Sequence, residues 1–279
     1  MSNHKVYLRA FFDLLENNSR CLLCRQPSRQ TLALCQGCQQ DLPYLGNHCI
    51  QCAEPLPDGL IGSRPSPFNN ERPLRCGRCL KKPPAFSRTL APLLYLYPID
   101  ILIHRYKQHA EVSLTELLSR LFIIHLQQTL LRQQQPGNAT PTLPQQLIAV
   151  PLHRNRLYQR GFNQSAELTD ALSRRLQIPV NRKACRRILD TPHQQGLSAK
   201  QRRHNLRHAF EVDATRLKQG GGITHIALID DVMTTGSTAQ ILAQQLRRAG
   251  AEQVDVWCIA RTPPGRAGSN ATTKTPPLT

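Results

Sequence analysis

Aromatic side chains are scarce in this 279-residue chain: seven Phe, six Tyr and one Trp, 5% in all. A protein that holds single-stranded nucleic acid without sequence preference stacks successive bases on aromatic rings set among basic residues. So thin a supply argues against a dedicated binder of that kind. Acids are few as well, 18 against 36 Lys and Arg, and the formal charge is +18. Such a surface calls for an anionic partner: a phosphorylated metabolite, a nucleic acid or a membrane surface. Long apolar runs are missing too. The best candidate, LAPLLYLYPIDILI (90–103), is broken by Pro92, Pro98 and Asp100, short of the roughly 20 residues that a spanning helix needs. Residues 1–20 offer a helix-like amphipathic turn or two, with neither the apolar stretch nor the cleavage site of a signal peptide. No membrane span is expected, and the expected location is cytoplasmic, where thiols stay reduced.

What is abundant is cysteine. Eight of the ten lie between residues 21 and 79, in four Cys-x-x-Cys pairs: Cys21 and Cys24, Cys35 and Cys38, Cys49 and Cys52, Cys76 and Cys79. In a reducing compartment this pattern asks for a metal rather than disulfides. Each Cys-x-x-Cys turn puts two thiolates on one side of a knuckle, and two knuckles complete a tetrahedral zinc site that is closed and structural. Sequential pairing makes two zinc ribbons with one Zn²⁺ each; interleaved pairing satisfies the same ligand count, because spacing identifies ligand type better than connectivity. Cys185 and Cys258 lie in strand-like segments and are expected to be small buried hydrophobes.

Composition divides the chain into a helix-like segment (1–20), a double zinc ribbon (21–88), an α/β domain (89–261) and a disordered tail (262–279). Residues 55–73, rich in Pro, Gly, Ser and Asn, are a loop between knuckles, and the Gln/Pro-rich residues 132–146 are a low-complexity connector. Within the α/β domain, strand patterns (TLAPLLYLY, LIAVPL at 147–152, ITHIALID at 223–230, QVDVWCIA at 253–260) alternate with helical ones. The helices fall at 99–131, with Leu114, Leu117, Leu118 and Leu121 in period, at 163–176, and from Ser237 to a C′ glycine at Gly250. That alternation implies βαβ units and a parallel sheet, whose ligands sit at the carboxyl ends of the strands.

One such junction carries chemistry. In residues 226–239 an apolar strand ends in Asp230 and Asp231, and a turn of Thr234, Thr235, Gly236, Ser237 and Thr238 opens a helix. The N–H groups and dipole at a helix N-terminus attract a phosphate. The glycine allows close approach and the hydroxyls add donors. Two adjacent carboxylates can accept from vicinal ribose hydroxyls and help retain Mg²⁺. As a plain helix start, the turn would need one capping residue rather than several around a glycine. A phosphate and a diol so spaced describe a ribose 5-phosphate. The stretch closely resembles the fingerprint of type I phosphoribosyltransferases, which implies phosphoribosyl pyrophosphate (PRPP) as ligand.

Between His153 and His208 lie 13 Lys/Arg and 3 acids, a local charge of +10. Such a run is most often a solvated basic face. Here two pieces fall where a sheet protein places active-site loops. Arg154, Arg156 and Arg160 follow a strand and can grip a pyrophosphate bidentately; the polar stretch from Thr191 to Ser198, running on to Arg202, Asn205 and Phe210, suits a lid over the reacting carbon.

With Tyr106-Lys107, Val150-Pro151-Leu152-His153, Arg160-Gly161-Phe162-Asn163-Gln164, Thr191-x-x-Gln194-x-Gly196-Leu197-Ser198, Arg202-x-x-Asn205 and the Asp-Asp turn, nearly the whole chain resembles the ComF family of competence and DNA-utilisation proteins. The resemblance implies a zinc ribbon before a type I phosphoribosyltransferase fold, Lys107 among the substrate-binding residues, and a role in natural transformation or the use of imported DNA, alongside the DNA-uptake machinery. Residues 55–73 and 132–146 depart from the pattern as insertions. The ribbon stands where base-specific phosphoribosyltransferases carry the part that reads the nucleobase, so no base pocket transfers. Two activities fit. One is Mg²⁺-dependent transfer of phosphoribosyl from PRPP, with Asp230 and Asp231 as catalytic carboxylates; no residue announces itself as the acceptor's general base. The other is a non-catalytic PRPP sensor or single-stranded-DNA-binding module.

Overall fold

The computed structural model describes residues 20–28, 30–57, 74–109, 111–133, 142–190, 208–218, 222 and 224–265. Nearly all of the helix-like segment, most of the 55–73 loop, the middle of the Gln/Pro connector, the lid residues 191–207 (Arg202, Arg203, Asn205 and Arg207 among them) and most of the tail lie outside the described residues.

In chain order the elements are α1 (Gln36–Gln40), α2 (Gly77–Lys81), β1 (Arg88–Leu90), β2 (Leu93–Leu94), α3 (Ile99–Gln108), α4 (Val112–Gln133), β3 (Gln146–Ala149), α5 (Arg154–Arg160), α6 (Gln164–Leu176), β4 (Cys185–Arg187), β5 (Phe210–Val212), α7 (Ala214–Lys218), β6 (His225–Met233), α8 (Ser237–Arg248) and β7 (Gln253–Arg261). The main sheet runs β1–β7–β6–β3, with β2 also on β7, and every pairing in it is parallel. A separate antiparallel hairpin joins β4 to β5.

The central strands β6 and β7 are nearly continuous runs of apolar residues, as expected where helices cover both faces of a parallel sheet. Side chains alternate between two cores. Ile226, Leu228, Val254, Val256 and Cys258 meet Ile241, Leu242 and Leu246 of α8 on one face. Ala227, Ile229, Trp257 and Ile259 meet α3, α4 and α6 on the other, through residues such as Leu102, Leu117 and Leu168. All four periodic leucines of α4 are buried there.

The two ribbons are attached to different faces. Cys21 and the neighbouring Leu32, Leu34 and Leu42 belong to the core of α3 and α4. Cys49, Cys52, Cys76 and Cys79 belong to the core of α8. The chain between them is stitched to the β1–β2 edge, where Leu45 N donates to Pro92 O (2.9 Å), Leu94 N to Pro43 O (2.7 Å) and Thr89 N to Ile50 O (3.1 Å).

Two strand expectations need correction. TLAPLLYLY is not one strand: Pro92 lacks the N–H a ladder requires, and the chain splits there into β1 and β2. LIAVPL stops as a strand at Ala149, although Val150 N still reaches Ile229 O at 2.9 Å.

Candidate functional site

The carboxyl edge of the sheet is built around the end of β6. The strand does not stop at its first acid: pairing with β7 continues through Val232 opposite Ala260 and Met233 opposite Arg261. Asp230 and Asp231 therefore sit inside the last turn of the ladder rather than beyond its tip, and Asp231 is only 4% exposed. The turn follows at once. Thr234 and Thr235 are exposed, and Gly236, Ser237 and Thr238 half-buried. Gly236 has φ +77°, and a Cβ there would lie 2.5 Å from the Met233 side chain. Glycine is required on both counts. Thr235 Oγ1 accepts from Ser237 N at 3.3 Å and shares a 2.8 Å hydrogen bond with Ser237 Oγ. One hydroxyl thus caps α8, and the other N–H groups of its first turn have no intrahelical acceptor.

Two further elements converge on the acids. Lys107, from the last turn of α3, brings Nζ to 2.9 Å from Asp231 Oδ2. Ser165, at the start of α6, donates from Oγ to Asp230 Oδ1 at 3.1 Å, and Asp231 N donates to the same oxygen at 3.0 Å. Asn163 places Ser165 by capping α6, its Oδ1 accepting from Ser165 N at 3.0 Å. Tyr106 pins the same corner through a 2.8 Å hydrogen bond to Gln164 O.

Charge in this corner is unbalanced. Burial, and next the Asp231 carboxylate, push Asp230 up to about 8, against the pull of Lys107 and the two donors. Burial works against the Lys107 ammonium, but Asp231 and then Asp230 outweigh it and hold that group above its ordinary value. Two carboxylates facing one ammonium form an oxygen-rich site that a hard cation or a diol would relieve.

The arginines enter from the end of β3, the neighbour of β6. Arg160 Nη1 donates to Gln164 Oε1 at 2.7 Å, one residue before Ser165. Arg154 is exposed and turned over the Tyr158 ring, 5.9 Å from its centroid. Arg156 is half-buried beside Arg187, whose pKa is lowered first by burial and then by that neighbour. Arg160 thus shares a corner with Asp230 through Gln164 and Ser165, whereas Arg154 is engaged with Tyr158 and Arg156 lies beside Arg187. Part of the basic run is neutralised elsewhere: Arg175 pairs with Glu116, Arg182 with Asp170 and Arg186 with Glu211.

The cysteines resolve into two clusters paired sequentially, Cys21–Cys24–Cys35–Cys38 and Cys49–Cys52–Cys76–Cys79, each with its sulfurs within 4.8 Å of one another. Cys24 and Cys35 sulfurs are 3.6 Å apart, and those of Cys52 and Cys76 3.7 Å. A zinc tetrahedron with bonds of about 2.3 Å has edges of about 3.8 Å, so both clusters fit Zn²⁺. Cys185 and Cys258 are buried, and burial pushes both thiols up to about 12.

Sequence reasoning missed Ser165 and Arg261. Arg261 is 3% exposed, yet its guanidinium donates to Cys52 O (2.8 Å), Met233 O (3.1 Å), Thr262 O (2.7 Å) and Thr234 O. A cation ending an apolar strand was the available signal.

A double zinc ribbon joined to a parallel α/β sheet with helices on both faces is the class that fold and site define. Residues 17–80 match the description "Double zinc ribbon domain". DNA utilization protein YhgH of Salmonella typhimurium is 35% identical over 87% of this chain and 96% of its own length. Competence protein F of Haemophilus influenzae is 34% identical over 88% and 97%. The chain belongs to the ComF family. A solved structure from an analysis of an invariant aspartic acid in HPRTs, the asparagine mutant, aligns at a TM-score of 0.30 and 14% identity, covering 57% of this chain and 85% of its own, too distant to carry an argument.

Proposed function

We propose that this protein binds PRPP with Mg²⁺ at the carboxyl edge of its sheet, in the service of DNA uptake or utilisation. The observation that carries the reading is the acid pair of half-buried Asp230 and buried Asp231, separated by two residues from a glycine-containing hydroxyl turn at the N-terminus of a 12-residue helix. In this reading Thr234, Thr235, Gly236, Ser237 and Thr238 hold the 5-phosphate, and Asp230 and Asp231 accept from the ribose hydroxyls. Arg160, Arg154 and Arg156 face the pyrophosphate, and Lys107 keeps the acid pair from carrying two uncompensated charges. Bound Mg²⁺ would neutralise pyrophosphate oxygens. The names of the YhgH and competence relatives supply the DNA context.

If transfer occurs, the bond from C1 to the pyrophosphate oxygen breaks with its electron pair on the leaving group. A bond from C1 to the acceptor forms, and the acceptor's proton passes to solvent or to the departing pyrophosphate. Asp230 and Asp231 would stabilise the ribose as C1 gains positive charge, and the arginines the departing anion. No described residue stands out as the acceptor's base.

A single observation favours a second reading. Tyr158 is 76% exposed beneath Arg154, with Leu157 exposed beside it, a small stacking surface for single-stranded DNA.

The test is calorimetric titration of PRPP with and without Mg²⁺, followed by pyrophosphate release with a panel of nucleobases and amines. Mg²⁺-dependent binding that Asp230→Asn/Asp231→Asn abolishes in a folded protein is expected. Undiminished PRPP binding by that double variant would refute the assignment of the carboxylates.

A further inference from the structure

Arg261 lies at the meeting point of two things that the sequence keeps far apart: the Cys49–Cys52 knuckle of the second zinc cluster and the turn after β6. Its guanidinium is buried, and its nearest acid, Glu54, is 3.7 Å away and already bonded to Arg78 at 2.8 Å. Its shell is otherwise made of backbone carbonyls, one from a cysteine of the metal cluster (Cys52), two from the start of the turn (Met233 and Thr234) and one from the adjacent Thr262. A buried cation so dependent on carbonyls is expensive unless each acceptor stays in place.

The direction of those carbonyls has a consequence. Among the described residues only Tyr97–Pro98 is a cis peptide. In a trans peptide the C=O of one residue and the N–H of the next point opposite ways across one plane. Drawing the carbonyls of Met233 and Thr234 toward Arg261 therefore aims the N–H groups of Thr234 and Thr235 away from it, and both of these residues are exposed. Successive N–H groups aimed the same way make an anion-binding concavity.

A second path joins the same knuckle to the same turn. Thr89 Oγ1 donates to Gln51 O at 2.6 Å and touches Met233 Sδ at 3.7 Å, and the Met233 methyl fills the space that a Cβ on Gly236 would need. Both paths start at residues 51 and 52. The Cys21–Cys38 cluster is tied elsewhere: Arg105 Nη1 of α3 reaches Leu22 O at 2.8 Å and Arg120 Nη1 of α4 reaches Thr31 O at 2.6 Å.

We infer that Arg261 is a positioning residue that holds residues 234–238 in their anion-receiving form and makes that form depend on the metal centre at Cys49, Cys52, Cys76 and Cys79, but not on the other centre. The inference rests on the reading of this turn as an anion cradle, yet the coupling itself is measurable without any ligand.

The experiment is amide hydrogen exchange on the zinc-loaded full chain, with the buried strand amides of residues 227–229 as internal reference. Arg261→Met is expected to speed exchange at residues 233–238 at least tenfold while leaving 227–229 unchanged and both zinc ions bound. Cys79→Ser should do the same, and Cys24→Ser should stay within twofold of the parent at residues 233–238. If Cys24→Ser matches Cys79→Ser, or if a folded Arg261→Met leaves the turn within twofold, the coupling is overturned. Should Arg261→Met not fold, the two cysteine variants decide alone. A PRPP titration separates the two claims. Where the parent binds PRPP, Arg261→Met should lose at least tenfold in affinity and Arg261→Lys should recover part of it; equal affinity in Arg261→Met overturns the positioning role. A parent that shows the exchange pattern but no PRPP binding retains the coupling and loses the ligand assignment.

Discussion

At the carboxyl edge of the sheet, Asp230 is the acid whose chemistry its surroundings alter strongly. Its ordinary value is 3.8, and burial with the adjacent Asp231 raises it to about 8. Between those values the folded protein holds a proton that the unfolded chain has released, so stability falls as pH rises through that window. Asparagine carries no such penalty. Calorimetry without Mg²⁺ or ligand should therefore show Asp230→Asn gaining in melting temperature over the parent as pH goes from 5 to 8. A difference that stays flat with pH would show that the raised value is wrong. Gly236→Ala tests the other special residue: its φ of +77° and the Met233 methyl at 2.5 Å should together cost about 1–2 kcal/mol or more, seen as a lower denaturation midpoint. Both positions were legible in the sequence, because two adjacent acids before a Thr-Thr-Gly turn have few structural uses. Ser165 and Arg261 were not. Ser165 meets Asp230 65 residues away, and all but one of the acceptors of Arg261 lie 27 or more residues away; nothing local in a serine or a strand-ending arginine reveals such partners.

Among elements, periodicity placed α6 and α8 well, whereas the single helical span 99–131 divides after Gln108 into α3 and α4. Gly250 closes α8 with φ +114°, as a C′ glycine should. Strand ends are harder to read from sequence, since they depend on the partner strand. Pairing with β7 draws β6 three residues past Asp230, despite two acids that read as its end. Cysteine connectivity was open for the same reason, and only the fold shows that the pairs join in sequence. Two zinc ions per chain are therefore expected by elemental analysis of protein purified without chelator. Cys24→Ser should lose one of them and destabilise the first ribbon, because ribbon folding is coupled to metal binding. Protein that holds no stoichiometric zinc would contradict the assignment of both clusters.

At the scale of the whole molecule the open matter is what the +18 charge serves. Among the described residues no helix is long and apolar enough to cross a membrane. Arg175, Arg182 and Arg186 are paired with acids of the same chain, and among the other basic residues of the run the arginines of α5 and those at 202, 203 and 207 are the two sets for which distinct roles are proposed. For α5, the proposal gives the pyrophosphate to Arg160, which bonds Gln164, the neighbour of the serine that touches Asp230. Only PRPP carries a second charge cluster, so replacing Arg154, Arg156 and Arg160 by Gln should weaken PRPP far more than ribose 5-phosphate. One charge-assisted hydrogen bond of about 1.5–3 kcal/mol corresponds to a weakening of roughly tenfold to a hundredfold. A DNA track behaves differently. Neutralising it should lower affinity for a single-stranded oligonucleotide and flatten the dependence on salt, by about 0.7 in logarithmic slope for each phosphate that the protein no longer neutralises. That outcome is expected for Arg202, Arg203 and Arg207, which have no phosphate-type glycine beside them. Titrating PRPP, ribose 5-phosphate and an oligonucleotide against both sets at two salt concentrations separates the roles. Equal weakening of the two sugar phosphates in the α5 set would remove Arg160 from the pyrophosphate. A flattened salt slope in that same set would move the DNA track onto α5, where Tyr158 already lies open under Arg154.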